Sequence, residues 1–235
     1  MEYADIDSAK SLYSYVVEHK PSNGKCYILL DEIQNVKDWE RAVNSFQVDI
    51  DCDIYITGSN SHLLSSELST LLAGRYVEFV IETLSFKEYL SFLDSDIIDV
   101  YKEFNNYLRL GGFPVIHAHN YDADSAYKII NDIYSSVILR DTIQRHNIRN
   151  VDQLERIMKF VLTNVGNLFS AKSISDYFIS QKRKVDINTV YNYLSALESA
   201  YIIRRVNRYN LKGKEILKTN EKFYLSDHAL IYSLM

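Results

Sequence analysis

The chain has 235 residues, 47% of them hydrophobic and 13% aromatic, which is enough for one large or two small domains with a buried core. Seven glycines, two prolines and two cysteines exclude collagen-like, Pro/Gly-rich disordered and disulfide-scaffold classes. No apolar run approaches the roughly 18 residues of a membrane-spanning helix, and the N-terminal residues do not resemble a secretory signal. We therefore expect a cytoplasmic protein without a membrane partner.

The formal net charge is −5, and it is distributed unevenly along the chain. Residues 1–150 hold 13 Lys/Arg and 23 Asp/Glu, whereas residues 151–222 hold 13 Lys/Arg and 7 Asp/Glu. An acidic part joined to a basic part predicts two modules with different partners. The basic module is where an anionic polymer would bind.

The first part of the chain predicts a βαβ arrangement. An amphipathic helix over residues 5–20 ends at Pro21 and Gly24. The run CYILLDE then has the continuous apolar character of a strand buried on both faces of a parallel sheet. A polar helix over residues 39–46 separates it from a second apolar run, DIYITGS.

Three more elements follow before the strand signals mostly vanish. They are a Ser/Leu-rich helix over residues 61–72, a third apolar strand RYVEFVIE, and a helix through Leu93. Ser85 and Glu88 have the spacing of a capping box that opens this last helix.

The rest of the chain predicts helices and then a compact basic module. The expected helices cover residues 98–109, 122–146 and 151–168, with a turn at GGFP. A helix over residues 173–180, a polar turn QKRKVD and a helix over residues 187–200 precede two extended runs, YIIRRVNRY and KFYLSD. Helix, turn, helix and basic hairpin are the outline of a winged helix-turn-helix.

Two carboxylates, Asp31 and Glu32, end the first apolar strand. Ligands of open α/β sheets bind at the carboxyl ends of the strands, and P-loop nucleoside triphosphatases hold Mg²⁺ there with an acidic residue. The alternative is that both acids only begin an exposed loop. Two further residues favour the functional interpretation. Asn60 follows the second strand, where an amide can orient a water, and Arg75 precedes the third, where a guanidinium can stabilise phosphate charge.

Several long motifs then resemble a family of prokaryotic AAA+-type ATPases with an uncharacterised helical and winged-helix (DUF4143-like) C-terminal region. The motifs are LLDEIQNVKDWE, ITGSNSHLLSSELSTLLAGRYVEF, LSFKEYL, GGFP, YSSVILRD and LKTNEKFYLSDHAL. The resemblance implies that Asp31 is the Walker B acid on Mg²⁺ and that Glu32 polarises the hydrolytic water. It implies a sensor role for Asn60 and an arginine finger or phosphate contact for Arg75, with ATP and Mg²⁺ as cofactors.

One departure from the family concerns the phosphate-binding loop. No GxxxxGK[ST] precedes Asp31, and Gly24-Lys25 leads into a strand, whereas a P-loop must open a helix. We therefore expect a family member that lacks its first two strands, by truncation or degeneration, and that binds no cofactor by itself. The missing strand that precedes the phosphate-binding loop would lie between the strand before Asn60 and the strand after Arg75. Its absence should leave a gap in the sheet, or let those two strands pair directly.

The basic module predicts a DNA-binding surface, because its cations and amides can contact phosphates and base edges. The alternative is a protein–protein module, or self-association, with solvated cations. Asp227, near the C-terminus, is interpreted as an ordinary turn residue. The alternative is that it is the first acidic residue of a nuclease-like segment. The predicted DNA-binding residues are Lys182, Arg183, Lys184, Asn188, Tyr191, Asn192, Arg204, Arg205, Arg208, Lys212 and Lys214.

The predicted fold class is α/β plus α: an incomplete P-loop NTPase-type parallel sheet followed by helices and a winged helix-turn-helix. We expect a partial AAA+ ATPase domain at 1–95, a helical linker or lid at 96–149, a winged-helix module at 150–222 and the start of a truncated segment at 223–235. The predicted function is that of a truncated member of an ATP-hydrolysing family acting with DNA or a protein. The alternative is a non-catalytic winged-helix module with a degenerate ATPase domain.

Overall fold

The computed structural model describes residues 6–58, 74–93, 99–119, 121–206 and 220–235. It divides into two compact units, Met1–Phe79 and Val80–Met235. Each unit has its own cluster of buried hydrophobic residues.

The first unit is built around a parallel pair of strands. Helix α1 (Ala9–His19) begins at the N-cap Ser8 and is followed by strand β1 (Cys26–Leu30) and a 3₁₀ turn (Ile33–Asn35). Helix α2 (Trp39–Asp49) then leads to strand β2 (Cys52–Ile56). The two strands pair in parallel from Cys26 opposite Cys52 to Leu30 opposite Ile56, which confirms the predicted βαβ order.

Among the described residues, helices α1 and α2 cover one face of this sheet and leave the other exposed. Ile28 is 5% exposed and packs in a cluster with Trp39 and Phe46 of α2, whereas the neighbouring Leu29 is 76% exposed. Tyr27 and Tyr55 are also exposed. The prediction that the first strand is buried on both faces is therefore wrong. Alternation along β1 buries every second residue only, because α1 and α2 contribute to a single cluster on one face.

The third apolar run forms no strand. Residues 76–82 have no regular secondary structure, and Val77, Phe79 and Ile81 are exposed. A strand needs a neighbour for its backbone hydrogen bonds, and in the described part of the chain β2 pairs with β1 alone. An apolar run of strand length was thus not sufficient to predict a strand here.

The second unit is mostly helical. The capping box of Ser85 and Glu88 is present and opens α3. The expected helix over residues 122–146 is interrupted by a π-helical turn at Ile133–Leu139. The helices are α3 (Phe86–Phe92), α4 (Val100–Leu110), α5 (Pro114–Ala118), α6 (Ala123–Asp132), α7 (Arg140–Arg145), α8 (Val151–Thr163), α9 (Ala171–Ser180), α10 (Ile187–Ser199) and α11 (Ala229–Leu234).

A three-stranded antiparallel sheet adjoins α8, α9 and α10. Its strands are β3 (Leu168–Phe169), β4 (Ile203–Val206) and β5 (Glu221–Leu225), in the spatial order β3-β5-β4. The helix, turn and helix of the basic module and its two extended runs therefore form as predicted, whereas β3 was not anticipated. The segment between β4 and β5, which was expected to form the wing, lies outside the described residues.

The GGFP turn and the C-terminal SDHAL segment are joined by one buried carboxylate. Asp227 is 3% exposed and accepts hydrogen bonds from the backbone N–H of Gly112 at 2.8 Å and of Ala229 at 2.9 Å. Gly111 has φ +72°, and a Cβ built on it would lie 1.9 Å from Asp227 Oδ1. These contacts explain the glycine at position 111 and the aspartate at position 227.

None of the helices in the described ranges is both long enough and apolar enough to span a bilayer.

Candidate functional site

Asp31 and Thr57 bring the carboxyl ends of β1 and β2 together. The parallel register ends with Leu30 opposite Ile56, so the next residues of the two strands are neighbours. The Thr57 hydroxyl donates a hydrogen bond to the Asp31 carboxylate and accepts one from the backbone N–H of Glu32 at 3.2 Å. Thr57 therefore fixes the position of the first carboxylate and the backbone of the second.

The backbone bends sharply at Glu32. This residue has φ 48° and ψ 43°, the left-handed region that costs a non-glycine residue about 1–2 kcal/mol. The bend ends the strand and leads into the 3₁₀ turn. The Gln34 side-chain amide donates to the Glu32 carboxylate, while the Gln34 Oε1 is buried and accepts no hydrogen bond from any residue described. The strained bend and this unused acceptor both lie beside the carboxylate pair.

The oxygen ligands at this site fit the protein's share of a Mg²⁺ site. Mg²⁺ binds oxygen and commonly takes one or two carboxylates together with substrate phosphates. Asp31 is exposed and Glu32 half-buried, so both carboxylates are accessible. In the described ranges, no group of three or more His, Cys, Asp or Glu side chains could hold a metal ion by itself. The carboxylates therefore fit Mg²⁺ that arrives with a phosphate.

The two other predicted site residues are not brought to the carboxylates by any described contact. Arg75 is exposed, and its Nη1 donates to Asn44 Oδ1 on α2 at 3.3 Å. Asn60 lies outside the described residues. The roles given to Arg75 and Asn60 therefore stay predictions.

The Gly24-Lys25 dipeptide leads into a strand and opens no helix, as expected from the sequence. Gly24 has φ +89°, and β1 begins at Cys26 directly after Lys25. The Lys25 ammonium lies 2.9 Å from the Asp53 carboxylate on β2. This lysine is thus engaged with an acidic residue at the start of the strands, opposite to the end where Asp31 lies.

A second candidate surface is formed by the basic module. Asn188, Tyr191 and Asn192 are exposed on the first turns of α10, while Lys182, Arg183 and Lys184 lie in the preceding turn. Arg208, Lys212 and Lys214 lie outside the described residues.

The three described arginines of this surface are paired with acidic residues. Arg204 binds the Glu82 carboxylate, and Arg205 binds Glu198 at 3.0 Å and Glu221 at 3.2 Å. Arg183 binds Asp152 at 3.0 Å. Exposed pairs of this kind offset much of the positive charge that the sequence offers for phosphate contacts.

Thr57 is the site residue that the sequence analysis did not select. Aligning the carboxyl ends of the two apolar runs would have placed it next to Asp31. That alignment depends on a register that the sequence alone does not fix.

Family models match both parts of the chain. A model described as an AAA domain matches residues 1–90, and a model described as a domain of unknown function (DUF8612) matches residues 101–235. The matching C-terminal model is thus DUF8612, where a DUF4143-like region was expected.

Two curated relatives are both uncharacterised proteins. One from Haemophilus influenzae is 38% identical over 234 residues, which is 97% of this chain and 58% of that protein. One from Methanocaldococcus jannaschii is 31% identical over 216 residues, which is 88% of this chain and 48% of that protein. The chain therefore spans about half the length of the curated relatives it matches.

A solved structure shares the fold. The Walker-type ATPase of Pyrococcus abyssi matches 96% of this chain and 66% of its own chain, with a TM-score of 0.55 and 15% sequence identity. At this identity the likeness supports a mixed α/β fold similar to that of P-loop ATPases and nothing finer.

Proposed function

Because this chain belongs to the DUF8612 family and matches an AAA domain over residues 1–90, we propose that Asp31, Glu32 and Thr57 form the acidic part of a Mg²⁺–ATP site. The observation that carries this proposal is the hydrogen bonding of Thr57 to both acidic residues at the carboxyl ends of two parallel strands. Phosphate ligands of open α/β sheets bind at this end of the strands.

Each residue has a distinct role in the proposed site. Asp31 binds Mg²⁺ through its carboxylate, which the Thr57 hydroxyl orients. Glu32 accepts a proton from the attacking water, and Gln34 holds its side chain by a hydrogen bond. When bound, Mg²⁺ neutralises charge on the transferring phosphoryl group. Asn60 and Arg75 are proposed to orient the water and to contact phosphate, respectively.

The same proposal requires a phosphate-binding loop that supplies backbone N–H groups and a lysine to the triphosphate. No GxxxxGK[ST] occurs in the sequence. Two carboxylates facing a triphosphate repel it unless backbone N–H groups and a lysine bind its oxygens. Hydrolysis therefore needs a phosphate-binding loop from further polypeptide.

The second candidate function is a non-catalytic binding protein, in which α8, α9, α10 and the small sheet act as a winged helix for DNA or protein. The chain order α8-β3-α9-α10-β4-β5, with the strands in the spatial order β3-β5-β4, supports the winged-helix interpretation.

One experiment separates the two candidates. The DNA directly upstream of the codon for Met1 is sequenced. An in-frame GxxxxGK[ST] motif there supports the proposal of a Mg²⁺–ATP site. The longer protein should then hydrolyse ATP, and Glu32→Gln should lower kcat by about 100-fold or more without weakening Mg²⁺–ATP binding. Glu18→Gln, on the exposed side of α1, is the matched control and should change neither. No such motif upstream, or a fully active Glu32→Gln, would contradict the proposal.

A further inference from the structure

A cavity of about 520 Å³ opens between α8 and α9 in the second unit. Its size falls within the range of about 300–1,000 Å³ that is typical of small-ligand sites. Three cations and three aromatic rings line it, together with the side chains of Asn164 and Gln181. None of the proposed ATP-site residues lies in it.

The cations of this cavity are only partly neutralised. Arg156 Nε donates to both oxygens of Asp152, at 2.9 and 3.1 Å, and Arg183 Nη1 donates to the same carboxylate at 3.0 Å. One carboxylate thus holds two guanidinium groups close together. Lys159 lies on the same side of α8 and forms no ion pair with any residue in the described ranges. The cavity therefore keeps an excess of positive charge, which suits a phosphate.

An aromatic surface lies beside these cations. Tyr177 on α9 is 51% exposed, and its ring centroid lies 5.5 Å from that of Phe160 on α8. Phe160 in turn contacts the buried Phe169, with centroids 5.6 Å apart. The core thus holds Phe160, and Phe160 supports a largely uncovered tyrosine ring. A nucleobase stacks on such a ring whatever its identity.

A second, smaller cavity adjoins the first. It has about 230 Å³ and shares Phe178 and Arg183 with its larger neighbour. Lys184, Asn150 and Gln153 also line it, as does Asp152, whose carboxylate is already bound to Arg156 and Arg183. Two adjacent cavities that share one arginine, each lined by both aromatic and cationic side chains, fit successive units of a polymer better than a single small molecule. At the β4 surface, by contrast, Arg204 and Arg205 are paired with acidic residues.

We propose that the α8–α9 cavity binds single-stranded nucleic acid. One base stacks on Tyr177, and the adjoining phosphates contact Arg156, Lys159 and Arg183. The smaller cavity holds the next unit of the strand at Lys184. This site is independent of the proposed ATP site, and it differs from duplex recognition by α10.

The test is fluorescence anisotropy of a labelled oligothymidylate of about 10 nucleotides, titrated with the 235-residue chain at two salt concentrations. Tyr177→Ala should weaken binding by about fivefold or more, and Tyr177→Phe should restore it because the stacking ring is retained. Lys159→Gln should weaken binding and flatten its salt dependence. Lys128→Gln, at an exposed lysine on α6 outside both cavities, is the matched control and should leave binding unchanged.

Several results would overturn this proposal. A duplex of the same sequence that binds more tightly than the single strand would place recognition at α10. Competition by free thymidine monophosphate at equal nucleotide concentration would show a small-molecule site, and equal competition by poly-glutamate would show only polyanion attraction. An unchanged affinity of Tyr177→Ala would exclude stacking. Far-UV circular dichroism of each variant establishes that it is folded.

Discussion

The carboxylate of Asp227 accepts a hydrogen bond from the backbone N–H of Gly112 at 2.8 Å, across 115 positions of sequence. The same carboxylate accepts from Ala229 N–H, and a built Cβ on Gly111 would collide with it. A single buried side chain thus ties the C-terminal segment to the turn between α4 and α5.

Replacing Asp227 should destabilise the second unit. Asp227→Ala leaves two buried backbone N–H groups without acceptors, each of which costs about 1–3 kcal/mol. We expect the free energy of unfolding to fall by about 3 kcal/mol in urea titrations followed by far-UV circular dichroism. Asp176→Ala, an exposed position on α9, is the control and should change it by less than about 0.5 kcal/mol. Equal losses in the two variants would contradict the assigned role.

Gly111 should tolerate a side chain less well than Gly166. Both have positive φ, +72° and +75°, so an alanine at either position has a similar backbone strain energy. At Gly166 the added Cβ meets Tyr224 at an ordinary 3.5 Å, whereas at Gly111 it meets Asp227 at 1.9 Å. Gly111→Ala should therefore lower the free energy of unfolding by about 2 kcal/mol more than Gly166→Ala. Similar thermal melts for the two variants would refute the close approach.

The two faces of β1 should respond differently to truncation. Ile28→Ala removes a side chain that is 5% exposed and should cost about 2–4 kcal/mol, whereas Leu29→Ala, at 76% exposure, should cost less than about 0.5 kcal/mol. Trp39 is the single tryptophan and lies in the same cluster as Ile28, so its fluorescence follows this unit. A large loss in Leu29→Ala would show that something covers the second face of the sheet.

Asp152 should titrate at lower pH than an ordinary aspartate. Hydrogen bonds and charge from Arg156, and next from Arg183, lower the pKa of this carboxylate from 3.8. Because the folded-state pKa is the lower one, the stabilisation is present above pH about 4 and is lost as the pH falls through the folded-state pKa. Carboxyl-carbon NMR titration measures this pKa, and Arg156→Gln should raise it. A titration at 3.8 in both proteins would rule out these ion pairs in solution.

The 235-residue chain by itself should bind Mg²⁺–ATP no more tightly than about 1 mM, or about −4 kcal/mol. Asp31 and Glu32 repel the triphosphate, and the sequence offers no GxxxxGK[ST] to bind it. Isothermal titration calorimetry measures the affinity. Micromolar binding that Asp31→Ala abolishes would be the opposite result, and it would mean that an unrecognised loop supplies the phosphate cradle.

Local signals predicted much of the fold. The apolar runs gave β1 and β2, the Ser85–Glu88 spacing gave the start of α3, and the polar turn gave the break between α9 and α10. Each of these depends on residues within a few positions of one another, where periodicity and capping act. The run at residues 75–82 carried the same apolar signal and formed no strand, because a strand also needs a partner elsewhere in the chain.

For the candidate site too, local sequence determined some features and tertiary packing determined the others. By itself the sequence determined that two carboxylates, Asp31 and Glu32, directly follow an apolar strand, because residue order along a strand is local. Only the tertiary structure placed Thr57 between them, left one sheet face open, set Tyr177 beside Arg156 and Arg183, and buried Asp227 against Gly112. Those relationships join residues that are far apart in sequence, and their geometry depends on strand register and helix packing.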